Sequence, residues 1–150
     1  LRRFGARVDS EGGVTASPGP LRGCTVDVGE TPDLLPVLAV VAACARGQTR
    51  FVNGGRLRHK ESDRLRSTAD LLRALGGQAR EEPDGLTVEG TGLGGGTADS
   101  AGDHRIAMSA AVAAVACRGP VTITGAGAVA KSYPGFYEDY KLLGGLIHGV

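Results

Sequence analysis

Apolar residues recur along the chain with two different periods, and the alternation of those periods predicts its elements. Leu65, Leu71, Leu72 and Leu75 fall at helical spacing through a segment headed by Arg58-His59-Lys60-Glu61-Ser62-Asp63-Arg64. The apolar run from Leu34 to Arg46 predicts a buried helix that stops at Gly47. Ala6–Asp9 and Val14–Ser17 read as a hairpin around Glu11-Gly12-Gly13, and Cys24–Val28, Thr49–Val52 and Val121–Thr124 read as short strands. Leu1–Phe4 followed by Gly5 looks like the last turn of a helix with its glycine stop. An alanine-rich helix up to Cys117 follows Ala101-Gly102-Asp103-His104-Arg105, and a final helix passes through Tyr140 and Leu143. Within the glycine-rich stretch Thr91–Thr97, Gly94-Gly95-Gly96 lacks a Gly-x-Gly-x-x-Gly frame after a strand, so it reads as a flexible connection rather than a phosphate loop.

These elements occur twice. Leu72-Arg73-Ala74-Leu75-Gly76 echoes Leu1-Arg2-Arg3-Phe4-Gly5, and Pro83-Asp84-Gly85 leads into Leu86-Thr87-Val88 as the first hairpin leads into Val14-Thr15-Ala16. Arg46-Gly47 and Arg118-Gly119 match at two helix ends. The period is roughly 70 residues, which marks duplicated supersecondary units rather than a solenoid. The order of strands and helices predicts an α/β (α+β) fold of βαβαββ-like units, roughly 1–71 and 72–150, with helices covering one face of a sheet. A start inside the tail of a repeat, without an initiating Met, points to a piece of a longer polypeptide.

Bulk properties narrow the function. With 150 residues the chain can bury a core, and its formal net charge of +1 offers no basic surface for nucleic acid or an anionic membrane. The absence of Trp argues against base stacking. Cys24, Cys44 and Cys117 form neither a zinc pattern nor a disulfide frame, as expected of a cytoplasmic protein with reduced thiols. The start has no apolar signal core, and the longest apolar run, about a dozen residues, is short for a membrane span.

The duplication brings the candidate chemistry together. Asp33, Lys60-Glu61-Arg64, His104-Arg105 and Lys131 fall at helix starts that parallel-packed repeats would turn to one side. On a helix starting near Arg58, Lys60 and Arg64 would put two cations on one face near a positive dipole end. That is costly for a helix alone and favourable for a bound anion. Glu61 and Asp33 supply carboxylates and His104 a titratable base, so the patch suits a polyanionic substrate and proton transfer. No Ser or Cys has a base beside it, and His59, His104 and His148 are not spaced as metal ligands. Each residue also has a plainer role open to it. Asp33 could be an N-cap, Glu61 a surface partner of Arg64 or Lys60, His104 structural and Lys131 a solvated loop lysine. Asp103 reads as a cap rather than a catalyst.

Four ordered blocks carry a resemblance. Thr31-Pro32-Asp33, Lys60-Glu61-Ser62-Asp63-Arg64-Leu65, Asp103-His104-Arg105-Ile106-Ala107-Met108 and Ala130-Lys131-Ser132-Tyr133-Pro134 resemble the 5-enolpyruvylshikimate-3-phosphate synthase family. The resemblance implies a fold of two domains, each of three βαβαββ units, of which this chain would be about two units of the C-terminal domain. It implies transfer of the enolpyruvyl group of phosphoenolpyruvate to the 5-hydroxyl of shikimate-3-phosphate, in chorismate and aromatic amino acid biosynthesis, with no metal or organic cofactor. It would make Asp33 an acid–base group touching the shikimate hydroxyls and Glu61 the proton-transfer group at the methylene carbon. Arg64, Arg105 and Lys131 would hold phosphoenolpyruvate with His104 close by, Lys60 would contact the shikimate ring, and glyphosate would compete. The partners implied are the two substrates and an N-terminal domain that this chain lacks, and the half-domain left open invites pairing with itself. His104, between Asp103 and Arg105, favours this family over the related UDP-N-acetylglucosamine enolpyruvyl transferases, which carry Leu there. A binding-only module for small phosphorylated acids is the reading from a different class.

Overall fold

The computed structural model describes residues 1–149. Its central unit is the run β3 (Thr25–Asp27), α1 (Leu35–Cys44), β4 (Gln48–Val52), α2 (Arg64–Ala74), β5 (Gln78–Glu82) and β6 (Gly85–Glu89). This βαβαββ succession folds into one sheet of order β3-β4-β6-β5, parallel between β3 and β4 and antiparallel elsewhere. Before it stands an antiparallel hairpin, β1 (Arg7–Asp9) with β2 (Thr15–Ser17). After it come β7 (Gly96–Asp99), α3 (His104–Ala114), β8 (Val121–Thr124) and α4 (Phe136–Leu142), with β7 and β8 parallel. Hydrogen bonding thus groups Thr25–Glu89, so a boundary at 71/72 falls inside α2. A period by itself leaves the cut point free; the sheet pairing sets it.

Backbone contacts repeat at a constant offset. The Arg46 amide donates to the Leu21 carbonyl at 2.9 Å and Arg118 to Leu93 at 3.3 Å. Val28 donates to Val52 at 3.1 Å and Ser100 to Thr124 at 3.0 Å. Asp27 accepts from the Gly29 amide and Asp99 from that of Ala101, the same turn made twice.

The helices form the interior. α1, all apolar, packs against both α2 and α3, and Leu35, Ala39, Phe51, Leu65, Leu72, Leu75, Leu86 and Ile106 are buried in the common core. Pro36 in its first turn costs no hydrogen bond there, and the chain is already extended at Ala45, just before Gly47. A smaller cluster seats Tyr137 of α4 and Val129 against Ala107 and Ala111 of α3.

Two expectations need correction. The charged segment does not begin a helix at Arg58: Gly55–His59 is a 3₁₀ turn, and α2 starts at Arg64, where the Asp63 carboxylate accepts from the Arg66 amide at 3.2 Å. Lys60 and Arg64 therefore share no helical face. The glycine stretch 94–96 is also no loose tether. A Cβ on Gly95 would stand 2.8 Å from the Gly119 and Pro120 carbonyl oxygens, so this glycine lets the chain pass against the turn before β8.

Candidate active site

The site forms where the central unit meets the elements that follow it. Its centre is the buried guanidinium of Arg64, the first residue of α2. Nε donates to Asp103 at 2.7 Å, Nη1 to Asp33 at 2.6 Å and Nη2 to Glu61 at 2.5 Å. A planar fork of donors is the side chain that can serve three carboxylates from three elements at once. Asp33 lies in the 3₁₀ turn Pro32–Leu34 leading into α1, and its second oxygen is 3.1 Å from Arg105. Leu34 stands at the N-cap of α1 and the Asp33 carboxylate is engaged by Arg64 and Arg105, so the N-cap role open to it is not the one it takes.

Asp103 does cap α3, accepting from the Arg105 amide at 2.9 Å. It is also the buried partner of Arg64 and accepts from Ser62 at 3.1 Å, roles that the sequence did not reveal. Burial favours the neutral form of Asp103, but the bonds from Arg64, the Arg105 amide and Ser62 outweigh it and hold the carboxyl below its ordinary range. For Arg64, burial works against the charge, and Asp103, Glu61 and Asp33 together more than reverse that.

Lys131, ending the 3₁₀ turn Ala126–Lys131 before α4, reaches across to Glu61 at 2.9 Å. The Lys131 hydrogen bond is the chief cause that lowers Glu61 from its ordinary 4.5 to about 2, assisted by its own backbone amide and the Arg64 charge. Glu61 is thus ionised throughout the neutral range. Since its folded pKa is depressed, its stabilising contribution is complete above the ordinary value and is lost as pH falls through about 2. A carbon-detected NMR titration of Glu61 should show this midpoint, and Lys131→Ala should move it upward; an unmoved midpoint would mean that Lys131 does not govern the carboxylate.

His104 begins α3 with its ring buried. Its Nδ1 lies 3.9 Å from both Glu61 and Asp103 and has no hydrogen-bond partner among the described residues. Lys60 stands exposed in the loop before α2, outside the network. The loop itself is gripped by Arg58, which donates to Asp63 at 2.9 Å, Glu81 at 2.5 Å and the Glu82 and Pro83 carbonyls at 2.6 and 3.1 Å. The turn of the β5–β6 hairpin thereby fixes the segment carrying Glu61.

Of the seven residues singled out from the sequence, Asp33, Glu61, Arg64, His104, Arg105 and Lys131 come together and Lys60 does not. A depression of about 190 Å³ opens beside Asp33 and Arg105, between Leu34 and Val37 on one side and Met108 and Val112 on the other. It is smaller than the roughly 300–1,000 Å³ of enclosed small-molecule pockets, as one wall of a cleft would be.

Comparison with known proteins identifies the family. The family described as EPSP synthase (3-phosphoshikimate 1-carboxyvinyltransferase) matches residues 1–140. A 3-phosphoshikimate 1-carboxyvinyltransferase of Aeropyrum pernix is 50% identical across 100% of this chain, which covers 36% of that relative. The structure of EPSP synthase from Acinetobacter baumannii superimposes with a TM-score of 0.83 at 35% identity, over 95% of this chain and 37% of that one. The enolpyruvyl transferase NikO from Streptomyces tendae gives 0.79 at 30% identity, over 99% of this chain and 34% of that one. The fold is that of an enolpyruvyl transferase. Within that class the chain belongs to the EPSP synthase family, and it spans about 36% of the length of the curated relatives it matches. No helix among the described residues is long and apolar enough to cross a membrane.

Proposed function

We propose that this chain forms one wall of the active site of a cytoplasmic 3-phosphoshikimate 1-carboxyvinyltransferase, corresponding to about two βαβαββ units of its C-terminal domain. An N-terminal domain would supply the other wall and most contacts to the shikimate phosphate. The observation that carries this reading is the Lys131–Glu61–Arg64–Asp33–Arg105 network, drawn from both copies of the repeat.

In this reading phosphoenolpyruvate binds against Arg105 and Lys131, with Arg64 behind them as the buried cation that sets the carboxylates in place. Asp33 takes the proton of the attacking 5-hydroxyl. Glu61 and Lys131 manage the proton at the methylene carbon. With a pKa of about 2 in the free chain, Glu61 cannot donate a proton at neutral pH. An incoming phosphate or carboxylate that engages Lys131 removes the principal cause of that depression, so substrate binding itself raises Glu61 toward a useful range. Lys60 lies free to meet the shikimate ring from the loop, His104 stands 3.9 Å from Glu61, and glyphosate would compete for the phosphoenolpyruvate position.

The test is phosphate release from phosphoenolpyruvate plus shikimate-3-phosphate. The chain by itself should be silent, and adding the N-terminal portion of the enzyme should restore release that Lys131→Ala abolishes. Persistent silence with a folded N-terminal partner would favour a binding-only module and overturn the enzyme reading. Release by the chain by itself would overturn the half-site.

A further inference from the structure

We propose that Arg58 is a positioning residue: its guanidinium ties the loop carrying Glu61 to the turn of the β5–β6 hairpin and so sets the Glu61 carboxylate between Arg64 and Lys131. Its consequence for turnover rests on the proposed reaction, whereas the placement of Glu61 is measurable in this chain directly.

Glu61 lies in a stretch with little backbone to hold it. Between the 3₁₀ turn Gly55–His59 and α2, residues 60–62 make no backbone-to-backbone hydrogen bond among the described residues. Each residue of free chain spans up to about 3.3–3.6 Å, so such a loop, unpinned, would carry its carboxylate well away from its partners. Arg58 pins both ends. It stands before the loop, and its Nη1 donates at 2.9 Å to Asp63 beyond it, closing the loop across its base. The other Asp63 oxygen accepts from the Arg66 amide, which joins the clamp to the first turn of α2. The hairpin is the mount: Nη1 also reaches Glu81 at 2.5 Å, Nη2 the Glu82 carbonyl at 2.6 Å and Nε the Pro83 carbonyl at 3.1 Å. At the hairpin tip, Asp84 accepts from Gly54 at 3.0 Å through its carbonyl and from Gly55 at 2.5 Å through its carboxylate.

The fold does not need this clamp to make the turn. By the offset that relates Arg46 to Arg118, Ala130 takes the place of Arg58, and Ala126–Lys131 forms a 3₁₀ turn all the same. Arg58, Asp63 and Glu81 are only part-buried, and ion pairs that water still reaches contribute little to stability. What a planar fork spread over two carboxylates and two carbonyls supplies is direction, which a lysine, a single point charge, does not. Direction matters at Glu61 because displacing a group by about 1 Å can cost about a hundredfold in rate.

The NMR titration of Glu61 in this chain reads the placement without any turnover. Arg58→Met should raise the midpoint from about 2 toward the ordinary 4.5, because a wandering carboxylate loses the Lys131 hydrogen bond. Arg58→Lys should raise it less, and it carries the same test if the methionine variant does not fold. Arg73→Met is the control: Arg73 also holds β5, donating to the Ala79 carbonyl at 3.0 Å, but at the end of the strand away from the hairpin turn. It should leave the midpoint where it is. In the full-length protein, Arg58→Met should lower kcat by roughly a hundredfold with KM for phosphoenolpyruvate little changed, and Arg73→Met should alter neither. A midpoint still at about 2 in both Arg58 variants, or one that rises equally in Arg73→Met, would overturn the positioning role. A full-length parent without turnover would instead sink the enzyme reading, and the Glu61 midpoint would still decide the role of Arg58.

Discussion

Replacing Arg64 with methionine is expected to unfold the chain or bring it close to unfolding. The substitution keeps a long apolar stem but strands Asp103, fully buried, beside Asp33 and Glu61 with their common cation gone. Removing one partner of a buried ion pair costs about 3–5 kcal/mol, against a total stability of about 5–15 kcal/mol for a domain. The denaturant midpoint followed by circular dichroism measures the loss. Adding Asp103→Asn to Arg64→Met should recover part of it, because the amide needs no counter-charge. A loss within about 1 kcal/mol, the range of a surface pair, would show that Arg64 does not organise the cluster.

The second large effect is kinetic. If the proposed function holds, Lys131→Ala and Glu61→Gln in the full-length protein should each lower kcat by about 10²–10⁴, the range for a positioned proton-transfer or charge-stabilising group. Both should lower the melting temperature modestly, because each removes the charge pairing that stabilises the part-exposed Glu61 carboxylate, while activity should fall far more. Turnover and thermal melts on the same preparations separate the possibilities. Parallel loss of activity and stability would make the Lys131–Glu61 bridge a structural brace.

Much of this arrangement was legible in the residues before any coordinates. The duplication was, because Leu-Arg-x-x-Gly and Arg-Gly recur at matching places, and the strands read at 24–28, 49–52 and 121–124 are present, although β7 falls where the glycine run read as a connection. The convergence of Asp33, Glu61, Arg64, His104, Arg105 and Lys131 followed from the same repeat. What was not legible has physical causes. A charged run such as Arg58–Arg64 carries no hydrophobic period, so the start of α2 was misplaced; the usable signal was Ser62-Asp63 directly before the first periodic apolar residue, Leu65. Asp103 was read as a cap because Asp serves that role wherever a helix begins. Its second bond, to Arg64 far away in sequence, depends on how α2 and α3 pack. Three glycines in a row look pliant in sequence, and only the neighbouring turn at Gly119 shows why the chain must be narrow there.

Asp33 and Arg105 occupy the same place in the two copies of the repeat, by the offset that relates Asp27 to Asp99, and they touch each other at 3.1 Å. Had the unit remained a separate gene product pairing with its twin about a two-fold axis, that position would have met its own like, acid against acid or base against base. Tandem fusion lifts the restriction, since each copy can then mutate alone. The opposite charges at the heart of the site are therefore available to a duplicated chain and closed to a symmetrical pair.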